Sequence, residues 1–165
     1  MYKRIILKLS GEALAGDKDG IMYDDETIFA VVDQIKEILD MGTQVALVIG
    51  GGNIWRGRSA NSSMDRTKAD QIGMLATVMN AVYVADVFRQ RGIKAAVQTP
   101  IIIGTVSEQF SKESAVKHLE NGEVVIFAAG IGHPYFSTDT ALVLRAVEME
   151  ADIILSGKSI DGVYD

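Results

Sequence analysis

Short apolar runs alternate along the chain with longer stretches in which apolar residues recur every three or four positions. The runs are typical of buried strands, and the recurring positions are typical of helices that bury one face. Strands are therefore predicted at 2–9, 45–49, 94–98, 123–128 and 152–155, and helices at 24–41, 67–91, 111–121 and 137–149. This alternation indicates an α/β domain whose parallel strands are joined by right-handed crossovers.

The second predicted strand leads directly into Gly50, Gly51 and Gly52, with Arg56 four residues further on. Residues without a β-carbon permit positive φ and let successive N–H groups converge on phosphate oxygens, and an arginine can grip a phosphate with two hydrogen bonds. A tight turn between a strand and a helix needs only one or two glycines. The pattern therefore favours a phosphate-binding turn.

Three other predicted strands also end in residues that suit a ligand. Lys8 lies near the end of the first strand, although an isolated lysine on a short strand can simply extend to solvent. Gly130 and Gly132 open a turn that is either an ordinary helix cap or a nucleoside site, and Lys158 is either a surface lysine or a ligand contact. Because the carboxyl ends of parallel strands share one edge of a sheet, the four segments together predict a phosphate-rich ligand site.

Composition narrows the class of protein. The 165 residues are 48% hydrophobic without a long apolar run, which indicates a soluble domain rather than a membrane protein. There is no cysteine and no leader-like segment, so we expect a cytoplasmic protein without disulfides. A net charge of -6 disfavours non-specific nucleic-acid binding, so positive charge for an anion must be local. It is supplied after the glycines by Arg56, Arg58, Arg66 and Lys68.

The sequence does not match several known catalytic and cofactor-binding motifs. Residues 156–159 read like the end of a P-loop, but Asp152 stands where its first glycine belongs, and Tyr135 replaces the third glycine of a dinucleotide fingerprint. His118 has no second metal ligand at a suitable spacing. Without a nucleophile–base pair, a metal cluster or a hydride-cofactor motif, phosphoryl transfer between nucleotides is the remaining reaction.

For several residues and segments the sequence allows two different roles. Asp70 is either a partner of the helix dipole or an acceptor for ribose hydroxyls. The segment 100–106 either forms a hairpin or lines an interface, and the polar loop 15–20 is regulatory or, as its composition favours, merely solvated. The apolar positions on the long helix are core or subunit interface: Ile72, Leu75, Met79 and Val82.

Five motifs distributed over the whole chain resemble one family. They are 8–14 (KLSGEAL), 49–56 (IGGGNIWR), 73–80 (GMLATVMN), 132–139 (GHPYFSTD) and 161–164 (DGVY). Together they resemble bacterial UMP kinases (uridylate kinases). Related carbamate, acetylglutamate and aspartate kinases share the lysine and the glycine turns but not the 73–80 helix or the loop before Asp139. The resemblance implies the amino acid kinase (carbamate kinase-like) fold, a three-layer αβα sandwich with a mainly parallel sheet.

The resemblance also implies an activity and its residues. UMP and ATP, which carries Mg²⁺, would give UDP and ADP in a homohexamer activated by GTP and inhibited by UTP, with no nucleic-acid or membrane partner. Lys8 and Arg56 would be catalytic. The implied ATP contacts are Lys8, Leu9, Ser10, Gly11, Gly52, Arg56, Lys158 and Tyr164. The implied UMP contacts are Gly51, Asp70, Ile131, Gly132, His133, Pro134, Tyr135, Phe136, Ser137 and Thr138. The segment matching the GTP-activation region is Ala15, Gly16, Asp17, Lys18, Asp19 and Gly20.

We expect residues 1–165 to form a single amino acid kinase domain that lacks the family's C-terminal portion, which supplies another aspartate near the transferred phosphate. Two other functions stay open. One is a module that binds UMP or another nucleotide without turnover. The other is an acid-substrate kinase of the same fold, which the aromatic pair Tyr135–Phe136 and the carboxylate of Asp70 disfavour.

Overall fold

A computed structural model of the chain describes residues 2–16, 21–56 and 63–157. The strands are β1 (Arg4–Leu9), β2 (Gln44–Ile49), β3 (Ala95–Thr99), β4 (Glu108–Gln109), β5 (Val124–Phe127) and β6 (Ile153–Gly157). The helices are α1 (Gly11–Ala15), α2 (Asp25–Asp40), α3 (Arg66–Gln90), α4 (Lys112–Glu120) and α5 (Thr138–Glu148).

The strands form one sheet in the order β4-β3-β5-β2-β1-β6, and every neighbouring pair is parallel. The predicted parallel α/β arrangement is confirmed. Lys8 of β1 is paired in register with Val48 of β2 and Ser156 of β6. The strands that carry the predicted ligand segments, β5, β2, β1 and β6, are consecutive in the sheet, so their carboxyl ends lie side by side.

Alternate side chains of each strand enter two different apolar layers. Ile5 and Leu47 pack with α1, α2 and α3 on one face of the sheet, whereas Ile6 and Val48 pack with α4 and α5 on the other. A strand buried on both faces reads as a continuous apolar run, which explains the sequence pattern. The three-layer αβα sandwich is confirmed.

Two short elements lack a sequence signal. The five residues of α1 are too few to show a helical repeat, and the helix begins where the Ser10 hydroxyl accepts a hydrogen bond from the Ala13 amide. Strand β4 has two residues and pairs parallel to β3. A hairpin needs antiparallel strands, so the hairpin interpretation of 100–106 is wrong.

The long helix α3 buries a different face from the one suggested by its largest apolar residues. Leu75, Met79 and Val82 are 50%, 53% and 42% exposed, so their assignment to the core of this chain is wrong and their place in an interface stays a prediction. By length and composition α3 could cross a membrane, but 44% of its apolar window is buried, and core helices of soluble proteins meet the same criterion.

Candidate functional site

The turns after β1 and β2 touch each other. A β-carbon on Gly11 would lie 2.5 Å from the backbone nitrogen of Gly52. The turn after β1 also meets the start of α5, because the Lys8 Nζ lies 2.5 Å from Asp139 Oδ1. Three of the four predicted segments therefore converge at one edge of the sheet, and the fourth, at Lys158, lies outside the described residues.

In the turn after β2, Gly51 is required by close approach rather than by backbone conformation. Gly51 lies against α3, where a β-carbon would be 3.0 Å from the Ala76 Cβ and 3.1 Å from the Gly73 carbonyl oxygen. A β-carbon on Gly52 would collide with the Glu12 carboxylate. Neither glycine is among the described residues with positive φ, so this turn does not use the positive φ that glycine permits.

Lys8 points into the site instead of extending to solvent. Its side chain is 11% exposed, and its ammonium group is paired with the carboxylate of Asp139 in the first turn of α5. A buried charge is costly unless it is paired, so this contact offsets the cost of burying the ammonium group at the strand end. Sequence reasoning explained Asp139 by helix capping alone and missed this partner.

Two of the cations after the glycine turn are paired with carboxylates. The Arg56 guanidinium lies 3.1 Å from Glu12 Oε1 of α1, and Arg66 donates to both oxygens of Asp70, one turn along α3. Arg56 and Arg66, two of the four cations expected from the sequence, are therefore already paired. A phosphate entering the site would compete with Glu12, which sequence reasoning also missed, for the exposed guanidinium of Arg56.

A cavity of about 280 Å³ lies between the glycine turn, the first half of α3 and the loop before α5. The expected UMP contacts that line it are Gly51, Asp70, His133, Phe136, Ser137 and Thr138. Trp55 also lines it and had no sequence signal, and its indole N–H donates to the Ala69 carbonyl of α3 at 2.9 Å. Its concave, partly apolar lining with hydroxyls at one end suits a nucleoside.

The other expected UMP contacts shape the loop around this cavity without lining it: Ile131, Gly132, Pro134 and Tyr135. The Tyr135 amide donates to the Asp70 carboxylate at 2.8 Å, and the Arg66 guanidinium lies 5.3 Å from the Tyr135 ring centroid. Asp70 is thus more than a partner of the helix dipole, because it ties this loop to α3.

A family model, that of the amino acid kinases, matches residues 3–165. The chain belongs to the amino acid kinase family. Uridylate kinases from two strains of Streptococcus thermophilus are each 53% identical over 166 residues, covering 99% of this chain and 67% of the relative. The chain therefore spans about two thirds of the length of these curated relatives.

Solved structures agree with this amino acid kinase assignment. The UMP kinase of Bacillus anthracis superposes with a TM-score of 0.92 at 41% identity, over 98% of this chain and 67% of that one. The UMP kinase of Ureaplasma parvum also gives a TM-score of 0.92, at 37% identity over 99% of this chain and 70% of that one. The resemblance noted from the motifs is confirmed.

Size alone does not identify the site of this amino acid kinase. A larger hollow of about 700 Å³ lies at the far end of α3, lined in part by Asp86, Arg89 and His118. It includes neither the glycine turn nor Lys8. We place the site at the smaller cavity because the glycine turn and the loop before α5 line it, and Lys8 is paired with Asp139 at the end of that loop.

Some expected site residues lie outside the part of the chain that the structure describes. Those outside the described residues are Asp17, Lys18, Asp19, Gly20, Arg58, Lys158 and Tyr164. Of the expected GTP segment, Ala15 ends α1 and Gly16 follows it with φ 62°, where a glycine is favoured.

Proposed function

We propose that this amino acid kinase transfers the terminal phosphoryl group of ATP to UMP, giving UDP and ADP. The observation that carries the proposal is the contact of the turns after β1 and β2 beside a nucleoside-sized cavity. The 53% identity to uridylate kinases supports UMP as the acceptor.

The chemistry requires positioning and charge compensation more than proton transfer. A phosphate monoester has a second pKa of about 6, so the UMP phosphate is largely dianionic at neutral pH and can attack without a general base. The protein then has to hold two polyanions in line and compensate the charge that moves between them. Lys8 and Arg56 are the cations proposed to contact the transferred group, and Asp139 and Glu12 hold them until the substrates arrive.

The proposed UMP site is the cavity bounded by Gly51, Asp70 and the loop that ends at Thr138. The ATP phosphates would lie over the adjoining turns at Lys8–Gly11 and Gly52. Leu9 is buried and its carbonyl already accepts the Gly50 amide, so its part is to join these turns. Lys158 and Tyr164 are proposed to contact the adenine nucleotide.

Mg²⁺ is proposed to arrive with ATP. No group of three or more His, Cys, Asp or Glu residues within 2–16, 21–56 and 63–157 is arranged to hold a metal ion. Mg²⁺ is usually held by substrate phosphates together with one or two carboxylates, and we propose this arrangement for the metal that arrives with ATP.

The remaining features are proposals for the whole protein. We propose a single domain over residues 1–165, a cytoplasmic homohexamer, activation by GTP and inhibition by UTP. The exposed apolar face of α3 supports self-association.

The function is tested by measuring ADP production by the full chain from ATP with UMP, CMP, carbamate or acetylglutamate, together with UMP binding by calorimetry. Turnover with UMP and weak or no turnover with the two acids is expected. Binding of UMP without any turnover would replace the kinase with a nucleotide-binding module. Turnover only with an acid would move the chain to the acid-substrate kinases.

A further inference from the structure

Helix α3 carries two polar residues on a buried face that is otherwise apolar. Thr77 is 6% exposed and Asn80 is fully buried. The buried apolar residues of the same helix are Ala69, Ala76, Val78, Ala81, Val84, Val87 and Phe88. A polar group removed from water is costly unless it is hydrogen-bonded, so the partners of these two side chains indicate why they are there.

Asn80 holds the glycine turn. Its amide nitrogen donates to the Gly50 carbonyl at 2.7 Å and to Asn53 Oδ1 at 2.8 Å, so one side chain spans both ends of the turn. Asn53 donates in return to Asn80 Oδ1 at 3.2 Å and to the Met22 carbonyl at 2.9 Å. Gly51 and Gly52, which line the proposed substrate cavity, lie between the two anchored positions.

Thr77 holds the turn after β5. Its hydroxyl accepts a hydrogen bond from the Ala129 amide at 2.7 Å and donates to the Met74 carbonyl at 2.6 Å. Ala129 has φ 60°, a conformation that costs free energy for a residue with a β-carbon, so the surrounding structure must maintain it. The following residue, Gly130, lines the proposed UMP cavity and also has a positive φ.

We propose that Thr77 and Asn80 are positioning residues that set the separation between the two substrate turns from a single rigid helix. Three residues apart, they lie next to each other on one face of α3, and each holds one turn. Thr77 lines the proposed UMP cavity, but its hydroxyl is engaged by Ala129 and Met74, so it acts on the turn through Ala129. Asn80 is fully buried and acts through Gly50 and Asn53. The inference rests on the proposed transfer to UMP.

The two residues should have separable kinetic effects in the full chain. Thr77→Val keeps the shape but removes the hydroxyl, and we expect it to raise the KM for UMP about tenfold while the KM for ATP changes by less than about twofold. Thr77→Ser restores the hydroxyl and should behave as the unsubstituted protein does. Asn80→Ala should lower kcat about tenfold and raise the KM for ATP.

A double-mutant cycle tests whether Asn80 acts through Asn53. If it does, Asn53→Ala should reproduce part of the loss, and Asn53→Ala/Asn80→Ala should lose no more than the worse single variant. Val84→Ala is the matched control, because Val84 is buried one turn further along α3 and its truncation destabilises the same helix without touching either turn. It should leave kcat and both KM values within about twofold.

Amide hydrogen exchange without nucleotide gives a readout that does not depend on turnover. The Ala129 amide should exchange about tenfold faster in Thr77→Val than in Thr77→Ser. The inference is overturned if Thr77→Val and Thr77→Ser behave alike, or if Val84→Ala shows the same kinetic losses at an equal loss of thermal stability. It is also overturned if the Asn53 and Asn80 effects simply add. If the unsubstituted chain phosphorylates no nucleotide, the proposed function fails, and exchange at Ala129 alone then decides the positioning role.

Discussion

Lys8 combines low exposure, a strand-end position and an ion pair with Asp139. We expect Lys8→Ala to lower kcat at least about a hundredfold, on the order of 3 kcal/mol of transition-state stabilisation, because a preorganised cation beside the transferred phosphoryl group is lost. Steady-state ADP production with saturating UMP and ATP measures the effect.

The control for Lys8 is Lys36→Ala. Lys36 is also ion-paired, with Asp40 one turn along α2, but both side chains are exposed and the pair is far from the turns. Exposed pairs of this kind contribute little to stability, so activity and thermal stability should hardly change. Near-normal turnover in Lys8→Ala would remove this lysine from the mechanism.

Gly51 and Gly73 allow a matched comparison of two glycines at the same contact. A β-carbon on Gly51 would meet Ala76 and the backbone of α3 at 3.0–3.2 Å, so Gly51→Ala should destabilise the fold by about 1–3 kcal/mol. A β-carbon on Gly73 would meet only Trp55 at 3.6 Å, and alanine is the better helix former, so Gly73→Ala should stabilise by up to about 1 kcal/mol. Denaturant unfolding measures both, and equal effects of the same sign would contradict the close-approach explanation.

At the scale of single residues, the sequence predicts which residues lie at the site better than it predicts which side chains they contact. Lys8 and the glycines are visible because each directly follows or ends an apolar run. Asp139 and Glu12 are not, because a carboxylate in the first turn of a helix is already explained by the helix dipole, and their pairing depends on which strands are neighbours. Thr77 and Asn80 do leave a signal, since they are polar residues inside an apolar helix.

Among the secondary-structure elements, β4, α4 and β5 are joined by one histidine. His118 of α4 contacts Glu123, the residue before β5, through Nδ1 at 2.5 Å and Glu108 of β4 through Nε2 at 3.1 Å. Burial would lower the pKa of His118, but the hydrogen bonds to the two glutamates outweigh it and raise the pKa above its ordinary value of 6.5. Burial would likewise raise the pKa of Glu108, but hydrogen bonds from Gln98 and His118 lower it below 4.5.

The direction of these shifts sets a pH dependence. The stability contributed by His118 is fully present below pH 6.5 and is lost as the pH rises through its raised folded-state pKa. The contribution of Glu108 is present above pH 4.5 and is lost as the pH falls through its lowered pKa. His118→Gln should therefore lower the Tm more at about pH 6 than at about pH 9. Thermal unfolding at both pH values measures this, and a pH-independent difference in Tm would contradict it.

At the scale of the whole molecule, the sequence predicts the α/β class and the parallel sheet but not the strand order. Apolar runs show that strands are buried on both faces, yet they do not show that β5 inserts beside β2 or that β4 adds two residues at one edge. That order depends on packing of the helices over the sheet. Strand order also decides which turns meet, so the sequence alone predicts their convergence only as a hypothesis.

Assembly is a property of the whole molecule that α3 makes testable. Leu75, Met79 and Val82 are spaced by four and three residues, so they form one exposed apolar stripe on the side of the helix facing away from the core. A stripe of this kind is costly to leave in water and is typical of a subunit interface.

If it is an interface of the proposed homohexamer, Met79→Glu places a charge in an apolar contact and should shift the protein to smaller species in sedimentation velocity. Met41→Glu, at the equally exposed end of α2, is the matched control and should leave the assembly unchanged. An unchanged sedimentation profile for Met79→Glu would place the interface elsewhere, whereas dissociation by both substitutions would show that added negative charge, rather than loss of this contact, controls assembly.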